Sequence, residues 1–170
     1  MTYFGYTGSS SGLLTVTSGN VWGALVQNNA GGGNITEIGI YIDDYDTGGN
    51  ARFGIYAVGT DYQPGALLLD AGEVTIGVGD KDTWKTITGL SFPVTNGTYY
   101  WISITTNFDC YLGRNDNQTG FHFSRGPHVY GALPNPFPEV AYENDDPMMC
   151  RAGVEAGGGA TNVVYMIFES

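Results

Sequence analysis

Asn96-Gly97 opens directly into Thr98-Tyr99-Tyr100-Trp101-Ile102-Ser103-Ile104-Thr105-Thr106. Asn-Gly supplies the positive φ angles of a tight hairpin turn. The residues behind it alternate aromatic and β-branched types with others, the pattern of a pleated strand. Tyr100, Ile102 and Ile104 share one face of that strand, and Tyr99, Trp101 and Ser103 share the other. The pattern recurs. Ile38, Ile40 and Ile42 alternate with Glu37, Gly39 and Tyr41, and Phe53, Ile55 and Ala57 alternate with Arg52, Gly54 and Tyr56. Further strands are predicted over 12–17, 21–27, 67–69, 84–88 and 110–113, with turns at Ser18-Gly19-Asn20 and Gln63-Pro64-Gly65. Chains of this kind fold as two packed antiparallel sheets, so the expected class is an all-β, single-domain antiparallel β-sandwich of jelly-roll type, with another sandwich topology as the alternative.

Composition agrees. Gly supplies 27 of 170 residues and Lys plus Arg only 6, which favours turns and short strands over long helices. The net charge of −11 argues against nucleic acid and against anionic membranes, both of which need clustered basic residues. No stretch approaches the roughly 18 apolar residues of a membrane span. Met1-Thr2-Tyr3-Phe4-Gly5-Tyr6 has neither the basic region nor the apolar run of a secretory signal. That start fits a component of a virus particle assembled inside a cell, or a trimmed piece of a secreted protein. Cys110 and Cys150 leave two alternatives, a single bridge or two buried free thiols.

Residues 114–160 read differently. They are rich in Asn, Gly, Asp and Pro, and alternate poorly, so a long loop excursion is expected there. The apolar run Val163-Val164-Tyr165-Met166-Ile167-Phe168 is expected to close the sandwich as a strand within 161–170, covered on both faces.

The order Ile38-Gly39-Ile40-Tyr41, Arg52-Phe53-Gly54-Ile55-Tyr56, Gln63-Pro64-Gly65-Ala66, Trp84-Lys85-Thr86-Ile87, Gly97-Thr98-Tyr99-Tyr100-Trp101 spans about residues 35–113. It resembles jelly-roll accessory modules of bacterial and archaeal surface or polysaccharide-acting proteins and of phage structural proteins. The resemblance implies display or binding rather than chemistry, and it does not extend past residue 113.

Candidate chemistry is sparse. Gly8-Ser9-Ser10-Ser11-Gly12 has the spacing of a nucleophile elbow but lacks the strand-turn-helix setting that motif needs. His122 and His128 lie six apart in a loop, without a neighbouring carboxylate or thiol to complete a zinc site. Asp43, Asp44 and Asp46, with Gly48-Gly49 behind them, look like the start of a Ca²⁺ loop; Ile55 stands where an EF-hand has Glu. Asn115-Asp116-Asn117 and Glu143-Asn144-Asp145-Asp146 are alternative cation loops. No carboxylate pair stands out for glycoside hydrolysis, so no catalysis is expected.

Two functions follow. The first is a structural surface-display module, as in a virion decoration or head-surface protein, partnered by particle subunits or by itself. The second is an extracellular carbohydrate-binding module in which Tyr99, Trp101, Tyr41 and Tyr56 offer flat rings to a polysaccharide. Both turn on whether Tyr99 and Trp101 are exposed or are covered by the 114–160 excursion.

Overall fold

The structure, a computed structural model, describes residues 1–8, 10–45, 47–77, 79–114, 123–140, 142–144 and 147–156, with backbone alone at 123, 124 and 142–144. The expected closing strand at 161–170 lies outside the described residues. So do His122, Asp46, Ser9, the 115–117 loop and Asp145-Asp146.

The described chain is all-β, with antiparallel sheets, one of them curled into a half-barrel. Its strands are β1 (Thr2–Gly5), β2 (Gly12–Val16), β3 (Asn20–Gln27), β4 (Gly33–Tyr45), β5 (Gly49–Val58), β6 (Pro64–Ile76), β7 (Thr83–Val94), β8 (Tyr99–Thr106), β9 (Cys110–Arg114), β10 (Phe123–Pro127), β11 (Tyr142–Asn144) and β12 (Cys150–Ala156). One sheet runs β1-β12-β4-β9-β2, with β7 also on β4; the other runs β11-β10-β3-β8-β5-β6.

The first sheet is organised by β4. Ile35, Ile38, Ile40 and Ile42 all point into the core with no exposed surface. A bulge between Ile35 and Glu37 resets the alternation, which lets Ile35 face inward beside Ile38. One edge of β4 carries β7 along its length, Val94 opposite Gly33 and Thr83 opposite Ile42. The other edge carries two strands end to end. Leu112 and Cys110 of β9 stand opposite Ile42 and Tyr45, and Cys150 to Ala156 of β12 stand opposite Ile40 to Gly33. The next row is broken at the same level, with β1 on β12 and β2 on β9. The chain leaves this row at Arg114 and rejoins it at Met148, which forms a bridge with Arg114.

The long excursion is therefore not all loop. It adds β10 and β11 to the edge of the second sheet beyond β3, and it returns β12 to the first sheet. β12 alternates correctly, with Cys150, Ala152 and Val154 inward and Arg151 and Gly153 outward. Its inward residues are small, so it lacks the bulky apolar stripe that marks β4.

The two sheets share one core. Phe4, Val16, the β4 isoleucines, Leu112 and Val154 from the first sheet meet Trp22, Val26, Phe53, Ile55, Ile76, Tyr100, Ile102 and Ile104 from the second. At roughly 1.5–3 kcal/mol for each fully buried large apolar side chain, this layer is the main source of stability. Cys110 and Cys150 sit within it as free thiols. They stand opposite Tyr45 and Ile40, five positions apart along β4. At about 3.3 Å per residue that separation far exceeds the ~7 Å Cα limit for a bridge. Burial pushes the Cys110 thiol up to about 12 and the Cys150 thiol up as well.

Both thiols should therefore resist a disulfide-exchange reagent such as dithionitrobenzoate in native protein at pH 8. Both should react at once in denaturant, and rapid native labelling of either would contradict this packing.

Candidate functional site

The outer face of the second sheet has its own apolar cluster, made of Val21, Leu25, Tyr56, Trp101, Leu133 and Phe137. Trp101 and Tyr56 have no exposed surface. A strap formed by residues 128–140 lies over them. The Tyr56 hydroxyl donates to the Pro134 carbonyl at 2.9 Å, and its ring meets Phe137 edge-on at 5.0 Å. Phe137 N–H donates to Gly65 O at 2.9 Å, and Leu67 N–H donates to the Asn135 side-chain oxygen at 3.0 Å. Leu133 drops into the space left by Gly54, where an added Cβ would overlap its side chain. The exposure that a sugar platform requires is thus missing at Trp101 on β8 and at Tyr56 on β5. The two faces of β8 divide as the alternation predicts, but both are covered.

Tyr99 lies at the rim of this cluster. It meets Tyr62 edge-on at 6.0 Å, beside a cleft of about 350 Å³ lined by Ala57, Val58, Leu68 and Thr98. Tyr62 follows Asp61 through the left-handed region, at φ 62° and 52°. Each such residue costs on the order of 1–3 kcal/mol. The conformation is braced: Trp101 Nε1 donates to Tyr62 O at 3.0 Å, and Gly59 N–H donates to Gln63 O at 2.7 Å.

Tyr41 is on the other sheet, so the structure does not gather the four candidate rings. On the outer face of the first sheet Tyr41 packs edge-on against Trp84, its cross-strand partner, at 5.6 Å. The Arg151 guanidinium is held between two rings, 4.4 Å from Trp84 and 4.6 Å from Tyr3. Gly39, opposite Arg151 on β4, leaves the room: a Cβ there would stand 3.3 Å from Arg151 Nε. Glu37 lies 3.8 Å from Arg151, and its carboxylate accepts the Tyr3 hydroxyl, an interaction that raises the Tyr3 pKa, helped by partial burial. The stack runs over β1, β12, β7 and β4, with Tyr3 37% exposed and no described layer over it. Tyr3, Trp84 and Arg151 were not among the candidate binding residues read from the sequence. The alternation Cys150-Arg151-Ala152-Gly153-Val154 would have placed Arg151 outward, but nothing local brings Tyr3 and Trp84 to it.

The remaining candidates have local partners. Asp44 holds Lys81 at 2.8 Å and accepts the Tyr45 N–H, and the Lys81 bond in particular lowers its pKa. Asp43 lies on the bulge beside it, where β4 shifts register. Among the described residues no three His, Cys, Asp or Glu side chains converge as metal ligands. The Ser10 and Ser11 hydroxyls donate to the carbonyls of Gly12 and Arg114. Burial lowers the His128 pKa. No described helix is long and apolar enough to cross a membrane.

No protein-family model matches this chain, and no curated protein matches it significantly.

Phe137→Ala should cost about 3–5 kcal/mol in urea unfolding, because it empties the cap over Tyr56 and Trp101. Unchanged stability would mean that the strap is not seated. A second expectation concerns acid. Asp80 accepts Lys85 Nζ and Gly77 N–H, each at 2.8 Å, and the Lys85 bond is the first cause of its lowered pKa. A carboxyl depressed in the folded state binds fewer protons than in the unfolded chain. Its contribution is full above the ordinary value of 3.8 and is lost as pH falls through the lower folded value. Asp80→Asn should therefore flatten the loss of stability below pH 3.8, measured by urea titration across that range.

Proposed function

We propose that this chain is a non-catalytic structural module that acts through surface contact, set on the exterior of a particle such as a virion as a decoration protein. The observation that carries the reading is the partly exposed Tyr3–Arg151–Trp84–Tyr41 stack, which no further sheet covers among the described residues. Interface cores are enriched in Tyr, Trp, Met and Arg, and their binding energy concentrates in Trp, Tyr and Arg anchors. Here Tyr, Trp and Arg are braced against one another across four strands, so a partner meets a pre-ordered surface and little side-chain entropy is lost on docking. Met1 and Leu13, 60% and 50% exposed, add further apolar surface to the module.

A jelly-roll topology is part of the proposal. Its support is the way the chain switches sheets, with β3, β5–β6, β8 and β10–β11 in one sheet and β4, β7, β9 and β12 in the other. The sealing of Trp101 on β8 and Tyr56 on β5 counts against a polysaccharide platform at those two rings.

The test is recovery. The protein should be found in stoichiometric amounts in purified particles from its source, by quantitative mass spectrometry. Trp84→Ala should weaken its attachment to stripped particles about thirtyfold, the effect of a hot spot worth ~2 kcal/mol. Absence from particles, together with retention on a neutral polysaccharide in affinity electrophoresis, would overturn the reading.

A further inference from the structure

The turn at 95–98 does not close a hairpin. β7 lies in the first sheet and β8 in the second, so Thr95-Asn96-Gly97-Thr98 carries the chain from one sheet to the other. Thr98 N–H donates to Thr95 O at 3.3 Å, and of the two central residues only Gly97 takes a positive φ, 79°, as a type II turn requires. All four residues are exposed, and the Asn96 side chain has no hydrogen-bond partner among the described residues. The Gly97 nitrogen beside it is held. Its N–H donates to Asn28 O at 2.7 Å, and Gln27 Nε2 donates to Gly97 O at 3.0 Å. Asn28 has no exposed surface and uses every polar atom it has. Its Nδ2 donates to Gly31 O at 2.9 Å and to Thr95 O at 3.0 Å, and its Oδ1 accepts Ala30 N–H at 3.0 Å. Its own N–H donates to Thr98 O at 2.8 Å.

We propose that Asn96 is a site of self-modification by deamidation, and that Asn28 is the residue that holds the reaction back. Asn96-Gly97 is the single Asn-Gly pair in the chain. The chemistry needs only this pair and water. The Gly97 nitrogen attacks Asn96 Cγ, the new N–Cγ bond forms, the Cγ–Nδ2 bond breaks, and ammonia leaves with the proton from the Gly97 nitrogen. Water then opens the succinimide at either carbonyl and leaves aspartate or isoaspartate. Glycine suits the step because no Cβ shields the attacking nitrogen. In the fold the electrophile is exposed and unbonded, whereas the nucleophile is not available. The Gly97 nitrogen must give up its proton and swing toward Cγ, and that proton is committed to Asn28 O. Asn28 also ties down Thr95 and Thr98, one at each end of the turn. The reaction therefore waits on local opening of this clasp. Its product puts a new carboxylate where the chain passes between sheets, and the isoaspartyl form adds a main-chain methylene that puts the turn out of step with its bonds to Asn28.

The test follows the full chain at mildly alkaline pH, folded or in urea. Peptide mapping by mass spectrometry reads amide-to-acid conversion at each asparagine, and enzymatic isoaspartate methylation reads the rearranged product. In urea, Asn96 should convert ahead of every other asparagine. In the folded protein its conversion should be at least tenfold slower. Asn28→Ser keeps an oxygen for Ala30 N–H and removes both Nδ2 donors. It should speed the folded-state reaction at least fivefold, and Gln27→Ala should speed it by a smaller factor. Circular dichroism establishes that each variant folds. Equal rates in the fold and in urea, earlier conversion of another asparagine in urea, or a folded Asn28→Ser protein that converts at the parent rate would each overturn the proposal. Where Asn28→Ser does not fold, a parent rate in Gln27→Ala overturns it instead.

Discussion

The inward face of β4 is the constraint on which the rest depends. Four isoleucines with no exposed surface fix which side of the strand is core, and a one-residue slip would turn that side to solvent. Once that face is set, the other side of β4 must carry Glu37, Gly39 and Tyr41 outward, and these form the floor of the arginine stack. Both edges are then committed, one to β7 and one to β9 and β12 in series. The chain between Arg114 and Met148 finds no free edge on β4. It crosses to the other sheet, adds strands there and covers Trp101.

Sequence and structure agree where side chains are large and alternate strictly. Ile38-Gly39-Ile40 and Tyr100-Trp101-Ile102 show their faces without any tertiary knowledge, because period-2 burial of bulky residues has few other readings. β12 was not legible for the opposite reason. Cys150, Ala152 and Val154 make a weak apolar stripe, and their inward placement comes from pairing with β4 and β1. The strap is harder still. Pro134, Pro136 and Pro138 exclude it from a central strand, but only a preformed Tyr56–Trp101 surface tells Leu133 and Phe137 where to sit.

Site residues divide in the same way. Tyr41, Tyr56, Tyr99 and Trp101 were visible as ring-bearing strand positions, yet their accessibility depends on distant chain: Leu133 and Phe137 for two of them, Trp84 for Tyr41, Tyr62 for Tyr99. Tyr62 carries no local mark, since a left-handed tyrosine is dictated by the bulges and by the Trp101 bond that hold the β5–β6 turn. Arg151 is a case of scarcity. Among six basic residues, Arg52, Lys81 and Lys85 are held by carboxylates at 2.7–2.8 Å, whereas Arg151 is held chiefly by rings.

The row that breaks at Arg114 and resumes at Met148 has a consequence for how such a chain can change. Because β9 and β12 share one edge of β4, the first sheet keeps the same register whatever length of chain lies between them. That junction is a natural graft point. A replacement need only bring its two ends back together, a cost that grows slowly with length. The same replacement would strip the cap from Tyr56 and Trp101 and leave two large rings facing water. The first sheet can therefore tolerate exchange of this segment freely, while the second accepts only segments that bring their own apolar lid.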